Sequence, residues 1–102
     1  MNRGDVWLAE VGRKRRPVLV LTREEVLDVR ALVTVAEITT SARGLAAEVS
    51  LGDSDVDLDR DSVVNCDGLH TVAKSVLTTR VGQVEDNVVN RVCSAISYAL
   101  GC

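Results

Sequence analysis

The sequence predicts a mostly β fold of the α+β class, in which a small antiparallel barrel or twisted sheet is closed by a C-terminal amphipathic helix. Valine accounts for 19 of the 102 residues, and its β-branched side chain packs well on the pleated surface of a strand. Helical spacing of apolar residues, by contrast, is confined to the last segment, from Asp86 to Gly101. The length suits one domain, residues 1–102.

Short apolar runs between turn residues predict the strands. Residues 5–11 alternate in hydropathy, which indicates a strand with two dissimilar faces and places Trp7 at an interface or an edge. After Pro17, the continuous apolar run 18–21 indicates a strand buried on both faces, so these two strands form a hairpin with a basic tip. Further strands are predicted at 31–38, 45–51, 62–66, 69–72 and 76–84, with a loop at 52–61 and a bend at Asp67-Gly68.

Two helical segments are predicted. Thr22 precedes Glu25 by three residues, which is the spacing of a capping box and indicates a short helical connector. The C-terminal helix begins at Asp86 and ends at Gly101, a residue typical of helix C-termini. Its apolar stripe consists of Val88, Val89, Val92, Cys93, Ile96, Ala99 and Leu100.

Charge and cysteine content limit the classes of function. A net charge of −3 and a pI near 5.0 argue against a general polyanion binder and leave room only for a local basic patch. Cys66, Cys93 and Cys102 are odd in number and widely spaced, so they suggest neither a disulfide framework nor a zinc site. Without an apolar leader or membrane span, the chain is expected to be a soluble protein of the reducing cytoplasm.

An acidic segment invites a calcium interpretation, because aspartates alternate from Asp53 to Asp61. The EF-hand pattern fails, however, since Leu58 stands where glycine is needed and Val64 where glutamate is needed. A solvated acidic loop is therefore the favoured interpretation, and no metal site is expected.

A basic run, Arg13 to Arg16, stands at the tip of the predicted hairpin. The simplest interpretation is a solvated turn. Arg16 differs from its neighbours because Pro17 keeps the preceding residue extended, so that a planar guanidinium projects from a rigid element and suits a phosphate group.

Polar residues at other predicted strand ends are further candidates. Thr39, Thr40 and Ser41 close an apolar strand, where hydroxyl groups usually bind local backbone groups. Asp67-Gly68 has the composition of a turn. His70 is the single histidine, and such a residue is more often structural than catalytic.

The order of four segments along the chain resembles the MazF/PemK (Kid) toxin family. They are Arg-Gly-Asp-Val-Trp at 3–7, Arg-Pro-Val-Leu-Val-Leu at 16–21, Ile-Thr-Thr at 38–40 and Asp-Ser-Val-Val-Asn-Cys-Asp at 61–67. The resemblance covers nearly the whole chain, and the short basic loop is similar to that of an actinobacterial branch. It implies an SH3-like barrel of the CcdB/Kid/MazF type and a homodimer. It further implies a MazE-like antitoxin encoded beside the toxin, and RNA cleavage without metal or cofactor.

The resemblance also implies roles for individual residues. The catalytic arginine and threonine of the family fall on Arg16 and Thr39, and the acidic residue that some members use at the RNA site falls on Asp67. Asp67 is therefore the third expected catalytic residue and the candidate for the general base. Asn65 departs from relatives that have an arginine there, which leaves Arg16 as the cation of the site. The residues expected to contact RNA are Lys14, Arg15, Thr40, Ser41, Arg43, Asn65 and His70.

The expected reaction is attack of the RNA 2′-hydroxyl on its own phosphate, which gives 2′,3′-cyclic phosphate and 5′-hydroxyl ends. The expected partners are single-stranded RNA, an antitoxin whose acidic C-terminal segment covers the basic groove, and a second copy of the chain. Trp7 and the valine-rich helix are the sequence features that favour the dimer.

Two other functions remain open at the level of sequence. One is a gyrase-binding toxin similar to CcdB, although the chain ends Leu100-Gly101-Cys102 rather than in the Trp-Gly-Ile of that family. The other is a catalytically silent barrel that only binds an antitoxin or nucleic acid.

Overall fold

The computed structural model describes residues 1–11, 14–41, 43–52, 54–58 and 61–102. The strands are β1 (Asp5–Val11), β2 (Lys14–Val20), β3 (Leu32–Thr39), β4 (Glu48–Ser50), β5 (Asp55–Val56), β6 (Val63–Ala73) and β7 (Leu77–Gln83). The helices are α1 (Glu24–Leu27) and α2 (Asp86–Leu100), with a 3₁₀ turn at Lys74–Val76. Within the described ranges, the strands form one curled antiparallel sheet in the order β4-β6-β3-β2-β1-β7-β5. The predicted fold class is confirmed.

Both faces of the sheet bury apolar side chains, because successive residues of a strand point to opposite faces. On one face, α2 packs against β4 and β6 and buries Val88 and Val92 beside Leu19. On the other face, Val18 and Val35 belong to a second core that α1 covers with Leu27. This second face continues past the core to the polar ends of β2 and β3, where the functional candidates lie.

The C-terminal helix agrees with the predicted one at both ends. The helix buries Val88 and Val92 of the predicted stripe together with Ala95, which the stripe did not include, whereas Leu100 of the stripe is exposed. Gly101 takes the left-handed conformation, with φ of 74°, and closes the helix by donating its backbone N–H to the carbonyl of Tyr98. In the described part of the chain, no helix is long and apolar enough to cross a lipid bilayer.

The predicted break in the strand at 62–72 is wrong. This segment forms the continuous strand β6, and the bend appears as a bulge at residues 66–68, where the pairing with β3 shifts between Ala36 and Glu37. A bulge inserts extra residues into one strand without ending it, so the turn-like Asp67-Gly68 is accommodated within the sheet.

Two elements between residues 45 and 61 also differ from the prediction. The predicted strand 45–51 is shortened to β4, because the side chain of Glu48 holds the backbone of residues 43–45 in a loop. The predicted loop 52–61 contains the short strand β5, which pairs with β7. Asp53 and Asp59 of the acidic segment lie outside the described residues.

The predicted capping box at Thr22 is wrong. The helix α1 begins after Arg23 without a side-chain hydrogen bond at its N-terminus. Thr22 Oγ1 instead accepts a hydrogen bond of 2.8 Å from the backbone N–H of Thr34. The hydroxyl therefore joins the end of β2 to β3 rather than starting a helix.

Trp7 was predicted at an interface or an edge, and the edge position is wrong. β1 lies between β2 and β7, and Trp7 is half-buried against the second core. Neighbouring Asp5 is buried, and its Oδ2 accepts hydrogen bonds from the backbone N–H of Asn2 at 2.8 Å and from Trp7 Nε1 at 3.4 Å. Its Oδ1 forms an ion pair with Arg80 Nε at 3.4 Å. Through Asp5, the Gly-Asp-Val-Trp segment thus joins the N-terminus, β1 and β7 by hydrogen bonds and an ion pair.

Candidate functional site

Arg16 lies on β2 with its backbone held by pairing to Ala9 of β1. The β2–β3 pairing ends with Val18 opposite Glu37. Arg16 and Thr39 each lie two residues beyond that pair, on the same face of their strands. The Arg16 side chain is exposed and makes no hydrogen bond or ion pair with another described residue. A cation on a fixed backbone with uncommitted donors is ready to bind an external anion.

Thr39 is the last residue of β3 and is half-buried. Its Oγ1 accepts a hydrogen bond of 3.0 Å from the backbone N–H of Ser41. This contact uses a lone pair of the oxygen and leaves the hydroxyl proton available for donation. Thr39 therefore binds the local backbone, as expected of a hydroxyl at a strand end, and can still donate a hydrogen bond to a ligand.

Arg16 and Thr39 line one cleft of about 300 Å³. The cleft also contains three further residues of the sequence-based site, namely Ser41, Arg43 and Asn65. Its other lining residues are Glu37, Ile38 and Glu48. We call it the Arg16–Thr39 cleft. The fold thus assembles candidates from β2, β3, β6 and from Ser41 and Arg43, which follow β3.

A second cavity of about 440 Å³ adjoins this cleft. Arg16 and Glu37 line both spaces and form the boundary between them. Lys14 and His70 line the second cavity, together with apolar residues of β1, β2, β3 and β6. We call it the His70 cavity. Two more of the sequence candidates, Lys14 and His70, thereby share a wall with Arg16.

Arg15 and Thr40 lie apart from these two spaces. Arg15 follows Lys14 on a strand, so its side chain points to the opposite face, where its Nε lies 3.2 Å from Glu10 Oε1. Thr40 is exposed just beyond the end of β3. The basic run is therefore divided between two faces of the hairpin, and Arg13 lies outside the described residues.

Asp67 does not join Arg16 and Thr39 in either space. It is exposed in the β6 bulge and lines a different cavity of about 520 Å³ with Ala47, Tyr98 and Ala99. A single chain thus brings Arg16 and Thr39 together in one cleft and places Asp67 in another cavity. The physical reason is the bulge, which interrupts the alternation of β6 and directs Asp67 toward α2.

Two carboxylates in the cleft were missed from the sequence. Glu37 lies on β3 two residues before Thr39, and the period of a strand places both on one face. Glu37 is the single charged residue in the largely apolar run 32–38, and this position was the sequence feature that could have identified it. Glu48 is less visible, because its role depends on the fold: its carboxylate accepts backbone hydrogen bonds from Arg43 and Leu45. These bonds hold the pKa of Glu48 below its usual value.

Metal-binding side chains do not cluster in the described part of the chain. No group of three or more His, Cys, Asp or Glu side chains there is placed to hold a metal ion. The Arg16–Thr39 cleft instead offers a guanidinium, a hydroxyl and an amide, which are hydrogen-bond donors suited to phosphate oxygens.

Known proteins share both the sequence and the fold. Probable endoribonuclease MazF5 of Mycobacterium tuberculosis is 39% identical over 103 residues, which cover 98% of this chain and 93% of the relative. The solved structure of M. tuberculosis toxin MazF-mt6 matches with a TM-score of 0.86 and 37% identity, over 95% of this chain and 96% of that chain.

A mycobacterial endoribonuclease solved in complex with its cognate antitoxin matches with a TM-score of 0.90 and 29% identity, over 99% of this chain and 95% of that chain. Residues 2–100 match the sequence family described as PemK-like, MazF-like toxin of type II toxin-antitoxin system. The resemblance found in the sequence is confirmed, and the chain belongs to the PemK-like, MazF-like toxin family of type II toxin–antitoxin systems.

Proposed function

We propose that this protein is the toxin of a type II toxin–antitoxin pair and acts as an endoribonuclease on single-stranded RNA. The observation that carries the proposal is the meeting of Arg16 and Thr39 in one cleft. The names of the relatives support it, since the matching proteins are endoribonucleases. The cleavage is sequence-specific and needs no metal ion. A single domain, residues 1–102, carries it out in the cytoplasm.

Arg16 and Thr39 are the proposed catalytic residues. The 2′-hydroxyl of one nucleotide attacks the adjacent phosphorus, and negative charge accumulates on the non-bridging oxygens as the 5′-oxygen leaves. The guanidinium of Arg16 donates two parallel hydrogen bonds to those oxygens, and the Thr39 hydroxyl donates one more. Both contacts strengthen as the charge grows, so they stabilise the transition state more than the bound RNA.

The remaining candidates are proposed to hold and read the RNA. Lys14 and Arg43 lie beside Arg16 in the two cavities and suit neighbouring phosphates. Ser41 and Asn65 carry hydroxyl and amide groups into the cleft, where they suit base edges. Contacts to RNA beyond the cleft and in the His70 cavity are assigned to Arg15, Thr40 and His70.

Asp67 is kept as a proposed acidic residue of the RNA site. Because it lines the cavity beside α2 rather than the Arg16–Thr39 cleft, the expected loss of activity in Asp67→Asn is smaller than the loss in Arg16→Ala. Comparing the two variants separates a catalytic group at the phosphate from a contact further along the RNA.

A cognate antitoxin of the MazE type and a second copy of the chain are the proposed partners. A structural relative has been solved with its cognate antitoxin, which supports the first partner. An acidic C-terminal segment of the antitoxin would place carboxylates where RNA phosphates bind, against Lys14, Arg16 and Arg43. The homodimer is supported by family membership, and a sedimentation mass of one 11.0 kDa chain at micromolar concentration would overturn it.

The test of the function is incubation of the purified protein with a mixed RNA pool in EDTA, followed by mapping of the new 5′ ends. We expect cuts within one short sequence that leave 2′,3′-cyclic phosphate and 5′-hydroxyl ends. Arg16→Ala should slow cleavage about 10²-fold or more, and Arg16→Lys should restore only part of it, because an ammonium lacks the planar pair of donors.

Arg23→Ala is the matched control, since Arg23 is an exposed arginine at the start of α1, outside both cavities. It should cleave at the wild-type rate. Intact RNA with the wild-type protein, cleavage that requires Mg²⁺, or full activity of Arg16→Ala would each overturn the proposed function.

A further inference from the structure

The His70 cavity contains a contact between two groups that can carry a proton. His70 Nε2 lies 3.0 Å from Glu37 Oε1, although the two residues are 33 positions apart in the sequence. The contact follows from the β3–β6 pairing, in which His70 is the partner of Val35 and therefore stands diagonally across from Glu37 on one face. Both side chains line the same space as Arg16.

Gly68 makes room for the Glu37 carboxylate. A Cβ atom at position 68 would lie 2.5 Å from Glu37 Oε2 and 3.1 Å from Asn65 Nδ2. The Glu37 carboxylate thus occupies the space that the Cβ atom of a non-glycine residue at position 68 would need. One of its oxygens is packed over the backbone of β6, and the other binds the imidazole. The exposed fraction of the side chain is 35% for Glu37 and 52% for His70, so both groups remain accessible from the cavity.

This contact determines which nitrogen of His70 is available. An ionised carboxylate can only accept hydrogen bonds, so Nε2 carries the proton that the pair shares. In the neutral ring the lone pair then belongs to Nδ1. A carboxylate that fixes the tautomer and stabilises the imidazolium is the arrangement by which a histidine becomes an effective proton acceptor.

We propose that His70 is the general base of the RNA cleavage reaction and that Glu37 is its positioning residue; the inference rests on the proposed endoribonuclease function. His70 Nδ1 takes the proton of the 2′-hydroxyl as the O2′–P bond forms. The P–O5′ bond breaks, and its electron pair leaves on O5′, which takes a proton from water. The hydroxide so formed removes the proton from His70 and restores the neutral ring.

Two other carboxylates near the cleft are less suited to this step. Asp67 lines the cavity beside α2 and does not share a wall with Arg16. Glu48 accepts backbone hydrogen bonds from Arg43 and Leu45, and these bonds make it a weaker base. Among the residues that the structure describes, the charged groups that share the cavity with His70 are Lys14 and Arg16 from β2 and Glu37 from β3, and β1 contributes Ala9.

The experiment measures single-turnover cleavage of a short RNA that contains the mapped site, at saturating protein and across pH 5 to 9. His70→Ala should lower the rate constant by about 10²-fold or more while RNA affinity stays within a few-fold of wild type. Added imidazole should restore part of the rate in His70→Ala and none in Arg16→Ala. The rise of the wild-type rate with pH should be absent from the variant.

Glu37→Gln tests the positioning role. It keeps the size of the side chain and removes the carboxylate that accepts the Nε2 proton and orients the ring, so the rate constant should fall with little change in RNA affinity. Thr71→Ala is the matched control, because Thr71 is the next residue of β6, points to the other face and binds Thr34 at 2.9 Å. It should cleave at the wild-type rate.

Several outcomes would overturn the inference. They are a near wild-type rate in His70→Ala, a loss without imidazole rescue and with the pH profile retained, or a loss of RNA affinity alone. His70→Gln, which preserves size and polarity, guards against a folding defect and should be as slow as His70→Ala. If the wild-type protein and the His70 variants cleave RNA and Arg16→Ala does not, only the inference about His70 fails. If the wild-type protein leaves RNA intact, the proposed function fails as well.

Discussion

The Glu48 carboxylate holds the backbone of Arg43, whose N–H lies 2.9 Å from Oε1 and 3.2 Å from Oε2. The N–H of Leu45 donates to Oε1 at 3.0 Å. Glu48 belongs to β4, while Arg43 belongs to the loop that enters the Arg16–Thr39 cleft. A single carboxylate thereby shapes a wall of the candidate site.

The stability of this loop should depend on pH through Glu48. Backbone hydrogen bonds lower the pKa of Glu48 below the usual value of 4.5, so the ionised carboxylate is more stable in the folded state than in the unfolded state. The stabilisation is present above pH 4.5 and is lost as the pH falls through the lower, folded value. Melting curves from about pH 3 to 7 should therefore show Glu48→Gln less stable than wild type at neutral pH, with the gap closing in acid.

Glu10→Gln is the control for this measurement, since Glu10 is exposed and paired only with Arg15. Its effect should be small throughout. A gap between Glu48→Gln and wild type that stays constant into the acid range would contradict the assignment.

Thr39 should act through its hydroxyl proton. Thr39→Val keeps the shape and loses both the donor and the acceptor, so we expect single-turnover RNA cleavage to slow about 10²-fold. Thr39→Ser keeps the hydroxyl and should stay within about ten-fold of wild type. Because the backbone N–H of Ser41 also loses its partner in Thr39→Val, thermal unfolding of both variants must be compared. Equal rates for Val and Ser would show that the hydroxyl does not contact the phosphate.

Gly82 should be required for the pairing of β5 with β7. Its φ is 157°, and a Cβ there would collide with the backbone oxygen of Asp55 and lie 2.6 Å from Val56 Cα. Both atoms belong to backbone that cannot move without breaking the strand pair. Gly82→Ala should therefore cost about 3 kcal/mol of unfolding free energy, from backbone strain and from overpacking.

Gly52→Ala is the matched control for Gly82→Ala. Gly52 also has a positive φ, 62°, but no neighbouring atom lies within 4 Å of the position that a Cβ would occupy, so only the strain remains. Its expected cost is about 1 kcal/mol. Denaturant unfolding measures both losses, and equal losses would contradict the steric argument.

Cys66 should be the least reactive of the three thiols. It is buried beside α2, and burial together with the nearby Asp67 and Cys93 raises its pKa to about 11. The thiolate is the reactive form, so a thiol reagent near neutral pH should modify exposed Cys102 quickly and Cys66 only after unfolding. Peptide mass spectrometry of samples taken over time distinguishes the sites, and rapid modification of native Cys66 would contradict this burial.

The same pKa shift sets a limit on alkaline stability. Because the folded value is raised above the usual 9.0, the neutral thiol is favoured by folding, and its contribution is present below pH 9.0. That contribution is lost as the pH rises toward about 11. Cys66→Ala should remove this alkaline part of the pH dependence, which thermal melts of both proteins across the alkaline range would measure.

Local patterns in the sequence were enough for the existence of the hairpin β1–β2, the strand β3 and the helix α2. Each of these depends on the alternation or the helical period of nearby residues, and such spacing is written directly in the chain. The local patterns were wrong about the start of β2, because Lys14 to Arg16 pair with β1 instead of forming the turn. Arg16 could likewise be singled out because Pro17 follows it at the entry to an apolar run. The family resemblance then added Thr39, and the fold places both residues in one cleft.

Only the tertiary structure decided the relations between distant segments. β7 pairs with β1, which places Trp7 on an interior strand, and Asp67 in the β6 bulge lines a different cavity from Arg16. The Glu37–His70 contact depends on the same β3–β6 register and on the missing side chain of Gly68. Pairing between strands that are remote in sequence is set by the packing of the whole sheet, and a shift of one residue reverses the face to which a side chain points. For that reason the sequence determined which residues could act, and the sheet determined which of them meet.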